Sequence, residues 1–571
     1  MKKFLIGVVT GLIVAGLTTV VLILAAIRLG GDVKPTIADG STLVLRLAGE
    51  IPEKAPAEIP IPFLDEQQPV TVIETWSLLR RAASDPKIKA LAFMPGRLSV
   101  GWAKVQQLRE DLANFKKSGK PIYAYLRAPG TRELYLATIA DKVYGNPTDL
   151  VDVKGMRAEL TYYKGTLDKL GIAMEFEHAG KYKDAPDSYI RTTMTPETRE
   201  VMNSVLDTTF GHVVDVLSAA RKKTPDEMRA IIDRGPFTAK RALGEGLIDG
   251  TIYEDQFFDE IKAKLGGGEL KRVAHRDYLR AAPAPAGKTR VAFLVGEGAI
   301  TRGGMGFGED EGITATGFIK AIRQVAKDDS IKAAILRVDS PGGDANASDD
   351  ILREVKLLSK RKPLVISMSD VAASGGYYIA MSGDPVLAYP GTYTGSIGVF
   401  FGKPTLRGFY DKIGMNKEIL KRGKFADIDS DYVPLGEGGR KKLREGVEET
   451  YQTFLGVVGE GRKRKPEEID PLAQGRVWLG TQAKENALID RLGGIDAAIE
   501  VVKEKAKIPA GEKVQLVLYP AKKSFFEQFM SRGQEQQSAE VALFKKYLGV
   551  DVLPLLQGGM LEMMPYRIDV R

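Results

Sequence analysis

The chain has 571 residues, of which 44% are hydrophobic and 27% charged, enough for three or four domains at about 100–200 residues each. That balance excludes a disordered chain, a collagen-like repeat and a disulfide-stapled mini-domain. Cysteine is absent and histidine occurs three times, which removes thiol nucleophiles and Cys-ligated metal centres; 82 basic against 74 acidic residues leave a net charge of +8, with no basic block that points to nucleic acid.

In chain order, the first feature is an uncharged run at residues 4–27, FLIGVVTGLIVAGLTTVVLILAAI. As a helix it is about 36 Å long, more than a hydrocarbon core of about 30 Å. It is also longer than the apolar core of a cleaved signal peptide, usually about 7–15 residues. Residues 1–34 are therefore expected to form one uncleaved transmembrane helix, with lipid contact through residues 4–27. Lys2 and Lys3 favour a cytoplasmic N-terminus, which puts the remainder outside the cytoplasm. Residues 35–69 are Pro-rich and read as a linker or arm.

The rest of the chain repeats itself at an offset of about 242 residues. SDPKIKALAF at 84–93 echoes KDDSIKAAIL at 327–336, and ELYLATIADKVYGNP at 133–147 echoes GGYYIAMSGDPVLAYP at 375–390. GTLDKLGI echoes GFYDKIGM, and GLIDG at 246–250 echoes ALIDR at 487–491. The expectation is an internal duplication: two tandem domains at 70–285 and 286–510, then a tail at 511–571. In the tail, Met560, Met563 and Met564 read as a core or interface strip. Each half alternates helical stretches with short apolar runs such as AAILRV at 333–338 and PLVISMS at 363–369. That pattern argues an α/β fold with largely parallel strands, whose sites lie in loops at the strand C-termini.

Three successive runs in the second half end in Gly-rich loops. They are Asp339-Ser340-Pro341-Gly342-Gly343-Asp344, Asp370 to Tyr378 around Ala373-Ser374-Gly375-Gly376, and Pro390 to Gly398 around Thr394-Gly395-Ser396. Glycine pairs let backbone N–H groups face outward, and two such donors beside a serine make an oxyanion hole. Ser374, between two small residues, is the candidate nucleophile. A serine nucleophile needs a base. His178, His212 and His275 all lie outside these loops; the other choice is a lysine kept neutral by burial.

Together SPGG (340–343), ASGGYY (373–378), TGSIG (394–398) and GKYKD (180–184) resemble the signal peptide peptidase A family of membrane-bound serine proteases. The resemblance covers nearly the whole chain and fits the long, duplicated form. It implies crotonase- and Clp-protease-like domains and a Ser–Lys dyad, with Ser374 as nucleophile and Lys183 as base. It further implies Ser396 orienting that lysine, and Gly342 or Gly343 with Gly375 forming the oxyanion hole. Released signal peptides and other short apolar peptides are the implied substrates, and a homotetramer the implied assembly. The implied location is single-pass in the inner membrane, with a periplasmic catalytic part. No cofactor or metal is expected, and the sequence holds neither a P-loop nor HExxH.

The duplication adds its own argument. Ser374 falls on Arg132 in the first half, and Lys183 falls on Ala426 in the second. SPGG falls near Met94-Pro95-Gly96-Arg97, which lacks the glycine pair, while Lys181 falls on Lys424. The halves have lost different parts, so they are expected to cooperate at one site, with Ser374 and Lys183 on one chain. Two other functions share these features: a crotonase-like acyl-CoA enzyme, and a non-catalytic membrane scaffold of the same fold.

Overall fold

Aliphatic runs too apolar to face water on either side build two parallel sheets, one from each half of the chain. The computed structural model describes residues 35–54, 68–281, 287–303, 312–521 and 559–564, with Gly11 and Thr18. The run at 4–27, expected to span a membrane, therefore lies outside the described residues. Among the described residues no helix is long and apolar enough to cross a membrane.

The first half contributes strands β1 (Ser41–Gly49), β2 (Ile88–Leu98), β3 (Ile122–Leu126), β4 (Lys142–Gly145) and β5 (Ala173–Ala179), then β6 (Gly250–Thr251) and β7 (Arg272–Ala274). Its helices include α1 (Val72–Ser84), α2 (Trp102–Lys116) and α3 (Pro196–Arg221). The second half contributes β8 (Thr289–Glu297), β9 (Ile331–Ser340), β10 (Gly342–Asp344), β11 (Leu364–Ala373), β12 (Tyr393–Gly395) and β13 (Val399–Thr405). It continues with β14 (Val477–Leu479), β15 (Val514–Tyr519) and β16 (Gly559–Met563), and its helices include α4 (Ala315–Lys327), α5 (Ala345–Ser359) and α6 (Glu437–Arg462).

The first sheet has the order β6-β4-β3-β2-β1-β7, all parallel. The second has the order β14-β12-β11-β9-β8-β15, parallel except for β14. The duplication is visible element by element: β1 matches β8, β2 matches β9, β3 matches β11 and β7 matches β15. Helix ends follow from local chemistry. Thr71 and Glu74 form a reciprocal capping box on α1 (3.0 and 3.2 Å), and Asp344 caps α5 through the Ala347 amide (2.8 Å).

This correspondence corrects two expected boundaries. The 35–69 segment is more than an arm, because its STLVLRLAG is β1, inside the first sheet, and Glu53 is buried. The 511–571 segment is more than a tail, because VQLVLY is β15, paired in parallel with β8. In both places an apolar run next to proline or glycine is drawn into a sheet by the area it buries.

A third sheet joins the halves. Its order is Ile313–Thr314, Ile300–Thr301, β10, β16, β13, β5. Within it β5, from the first half, lies antiparallel to β13, from the second. Polar contacts reinforce the union. Helix α2 packs on β11, and the Asp370 carboxylate accepts hydrogen bonds from the Gly101 and Lys104 amides (2.7 and 2.8 Å). Arg337 on β9 pairs with Glu53 at 2.8 Å, and both side chains are fully buried. Burial works to raise the Glu53 carboxyl, but the Arg337 and Lys104 charges outweigh it and hold the pKa below its usual range.

Breaking a buried pair strands a charge, which typically costs about 3–5 kcal/mol. Arg337→Met is therefore expected to lower the urea midpoint markedly, with Arg337→Met/Glu53→Gln recovering part of the loss. An unchanged midpoint in the single variant would show that this pair does not hold the halves together.

Candidate active site

The site forms where three strand ends of the second half meet one strand of the first. β11 runs to Ala373, and Ser374 then takes a left-handed backbone with φ 54° and ψ −119°. A short helix, Gly375–Tyr378, starts at once. A serine in this region is strained by about 1–3 kcal/mol, and such strand-to-helix turns hold a nucleophile out from the backbone. Gly376 permits the neighbouring loop to close on this turn: a Cβ there would stand 2.6 Å from the Ser340 carbonyl oxygen.

Lys183 arrives from the other half. β5 is fixed by its seven-residue ladder with β13, and the chain turns at Gly180. The Tyr182 amide donates to the Gln474 carbonyl at 2.8 Å, and a Cβ on Gly475 would stand 2.5 Å from the Lys183 nitrogen. Gly398 lines the other side, with its Cβ position 3.1 Å from Lys183 Cδ. This pocket of glycines presses the lysine stem against the second half.

The ammonium nitrogen ends 2.8 Å from Ser374 Oγ, 3.1 Å from the Ser396 carbonyl oxygen and 3.2 Å from Ser396 Oγ. Lys183 is 1% exposed, and Ser374 and Ser396 are fully buried. The count of groups matters. A neutral amine has two N–H donors and one lone pair. The two Ser396 oxygens match the donors, leaving the lone pair for the Ser374 hydroxyl proton.

The three glycines expected around an oxyanion sit beside this pair in different states. Gly375 is the first residue of its helix, so its amide has no intrahelical acceptor. The Gly342 amide already bonds to Ser340 Oγ at 3.1 Å, within its own loop. Gly343 lies opposite Glu562 in the β10–β16 ladder, and the Met564 amide donates to the Pro341 carbonyl at 2.6 Å. The methionine-rich end therefore lies along the SPGG loop, with Met564 buried.

The support beneath the loops left only a faint trace in the sequence, an aspartate near the start of two of the three Gly-rich loops. Asp339 and Asp370, each near the start of a Gly-rich loop, are held together by α2. Lys104 bonds Asp339 at 2.7 Å, and Asp339 in turn accepts from the Val371 amide at 3.0 Å. Burial disfavours the Lys104 ammonium, but Asp339, Asp370, Glu53 and Glu297 outweigh it and keep the pKa above the ordinary lysine value. Burial pushes the Asp370 carboxyl up to about 6.

None of the histidines supplies a base to Ser374. His178 is exposed and meets the Gly180 carbonyl at 3.2 Å, His212 meets the Tyr135 hydroxyl at 3.1 Å, and His275 is buried at the start of a helix after β7. Lys181 is exposed, over the Tyr182 ring. Among the described residues no three His, Asp or Glu side chains are grouped so as to hold a metal ion.

Two stretches of the chain, residues 114–266 and 356–509, match Peptidase family S49. The serine protease SPPA, chloroplastic, of Arabidopsis thaliana is 34% identical over 494 residues, covering 84% of this chain and 71% of that protein. Protease 4 of Salmonella typhi is 31% identical over 458 residues, covering 78% of this chain and 73% of that protein. Protease 4 of Haemophilus influenzae is 31% identical over 452 residues, covering 74% and 71%.

Lys183 Nζ stands within hydrogen-bond reach of Ser374 Oγ, and the three histidines bond elsewhere or lie away from it. Labelling by a serine-directed fluorophosphonate is expected to slow by about 10²-fold or more in Lys183→Met and to be unchanged in His178→Ala. Equal labelling of Lys183→Met and wild type would remove the lysine from the site.

Proposed function

The chain belongs to Peptidase family S49 and is a serine protease, and on that premise we propose that it is a membrane-anchored endopeptidase working through a Ser374–Lys183 dyad. The observation that carries the proposal is the 2.8 Å contact between Lys183 Nζ and Ser374 Oγ, both buried and drawn from opposite halves of one chain.

In the proposed reaction, Ser374 Oγ attacks the carbonyl carbon of a peptide bond while its proton passes to the Lys183 lone pair. The carbonyl oxygen becomes an oxyanion, received by the Gly375 amide together with Gly342 or Gly343. At Gly342 it competes with Ser340 Oγ for the amide. The lysinium then protonates the departing amine, the C–N bond breaks and an acyl-Ser374 ester remains. Lys183, neutral again, takes a proton from water, which attacks the ester; the lysinium then returns that proton to Ser374 Oγ as the C–O bond breaks and the acid leaves. Ser396 is the positioning residue, since its two oxygens fix the amine so that only the lone pair faces Ser374.

Burial of both groups supports short, extended substrates over folded proteins. Released signal peptides and other short apolar peptides fit that requirement. The uncharged run at 4–27 supports a single-pass anchor in the inner membrane, with the catalytic part on the periplasmic side. The family resemblance supports a fold of the crotonase and Clp-protease kind and a homotetramer.

Ser374→Ala and Lys183→Ala should each lower kcat/KM on a peptide substrate by at least about 10³-fold, with the double variant little worse, as for groups that act as one unit. On its acid limb kcat/KM should climb with pH, since only the neutral amine accepts the proton. A double variant that loses the product of the two single effects would dissolve the dyad. Chains carrying one substitution each, co-assembled, should stay inactive, because the pair is completed within one chain. Activity recovered in the mixture would place Ser374 and Lys183 on neighbouring chains.

A further inference from the structure

Basic charge gathers on the face opposite Ser374. The C-terminal ends of both sheets lie together. The Glu53 amide, beyond β1, donates to the Glu297 carboxylate at the end of β8 (3.1 Å), and Asp370 on β11 meets the Gly101 amide beyond β2. The N-terminal strand ends of both sheets therefore share the opposite face, about 33 Å away along a ten-residue strand such as β11. The chain enters β1 on that face. There the Lys87 ammonium donates to the Ile37 carbonyl and the Lys271 ammonium to the Asp39 carbonyl, both at 3.3 Å. The uncharged run at 4–27 ends ten residues before Ile37, and ten residues span at most about 36 Å.

Both halves put lysine on this face at the same places. Offsets of 242 or 243 set Lys89 on Lys332, Lys117 on Lys360 and Lys271 on Lys513. All six are exposed, and the bonds of Lys117 and Lys271 go to neutral oxygens, the Asn114 side-chain amide and the Asp39 carbonyl. Lys120 and its counterpart Lys362 serve the fold instead: each ammonium donates to two backbone carbonyls in the turns after α1 and α4. Four acids of the face are engaged at close range. Asp85 accepts from the Lys87 amide and the Tyr278 hydroxyl, Asp328 accepts from the Ser330 amide, Asp141 pairs with Lys116, and Asp384 pairs with Lys505. Segments 116–120, 287–290 and 359–363, which lead into β3, β8 and β11, hold eight basic residues and no acidic one.

We propose that this face rests on the membrane, with its lysines held by the phosphate groups of anionic phospholipids. The proposal rests on the single-pass anchor proposed above and adds an orientation to it. Lysines near an anionic bilayer are drawn to it, and the attraction fades within a screening length of the surface. An anchor alone sets how far the folded part can stray; a basic face also sets which way it turns. The N-terminal strand ends then face the headgroups, and the loops around Ser374 stand about one strand length above them. A peptide reaches those loops from the aqueous side, after it has left the bilayer.

Lysine acylation by an N-hydroxysuccinimide ester, read by mass spectrometry, tests this on the full-length chain. The chain is placed in nanodiscs of phosphatidylcholine alone or mixed with phosphatidylglycerol. Lys89, Lys332, Lys360 and Lys513 should acylate at least about threefold more slowly in the anionic discs. High salt should close the gap, as the screening length falls from about 10 Å at 0.1 M to about 3 Å at 1 M. Lys442, exposed on α6 beside β5 and β13, should label alike in both discs. Lys89→Gln/Lys332→Gln should narrow the gap at Lys360 and Lys513. A chain that inserts yet labels alike in both discs would overturn the basic face and leave the anchor standing. Equal slowing at Lys442 would overturn the orientation, and a chain that enters neither disc would overturn the anchor with it.

Discussion

A buried amine has to satisfy its N–H groups, and here the amine and its acceptors lie on different halves of the chain. Lys183 belongs to the first half, and the Ser396 oxygens and Ser374 hydroxyl it meets belong to the second. Everything between serves to hold that meeting: the β5–β13 ladder aims the chain, and Gly398 and Gly475 leave room for the backbone and stem of the lysine. Taking an ammonium-sized group out of water costs several kcal/mol unless partners compensate. A loosely attached pair of domains could not keep this one dry and in register, which is why the halves share a sheet and do not merely touch.

The polar core between the halves has a related purpose. α2 is sandwiched between its own sheet and β11, so Lys104, Gln106, Gln107 and Asp111 are buried on a helix that also carries Trp102, Val105 and Leu108 inward. Gln106 accepts from the Gly391 amide at 2.9 Å and Gln107 from the Ile495 amide at 3.1 Å. These bonds are directional where apolar packing is not. They fix the rotation of one half on the other, and through Asp339 and Asp370 they fix the spacing of the SPGG and ASGG loops.

How much of this could be read from the residues depended on what kind of signal each part leaves. Ser374 stands out because glycines crowd its turn, and the reciprocal differences at Arg132 and Ala426 make Lys183 its candidate partner without any coordinates. The α/β alternation was equally plain. β1 and β15 were hidden because composition was averaged over Pro-rich or terminal stretches, while a strand needs only six to nine consecutive residues to join a sheet. The buried face of α2 was hidden for a different reason: Lys, Gln and Asp at helical spacing read as a solvated face, and only the second half's arrival covers them. The bond that occupies the Gly342 amide was invisible too, since it depends on a hydroxyl orientation and not on spacing.

The left-handed backbone at Ser374 bears on how the two halves diverged. A non-glycine residue held in that conformation is a standing debit against stability. Its counterpart Arg132 lies inside an ordinary helical turn, Thr131–Ala137, with its guanidinium over the Trp102 ring. If the proposed reaction is what holds Ser374 in place, the copy without that constraint could relax downhill, and its descent would have been favoured and not merely permitted. On this view the asymmetry of the present chain records a ratchet: each step that stabilised one half made it harder for that half to recover a nucleophile, and tied its survival to its neighbour.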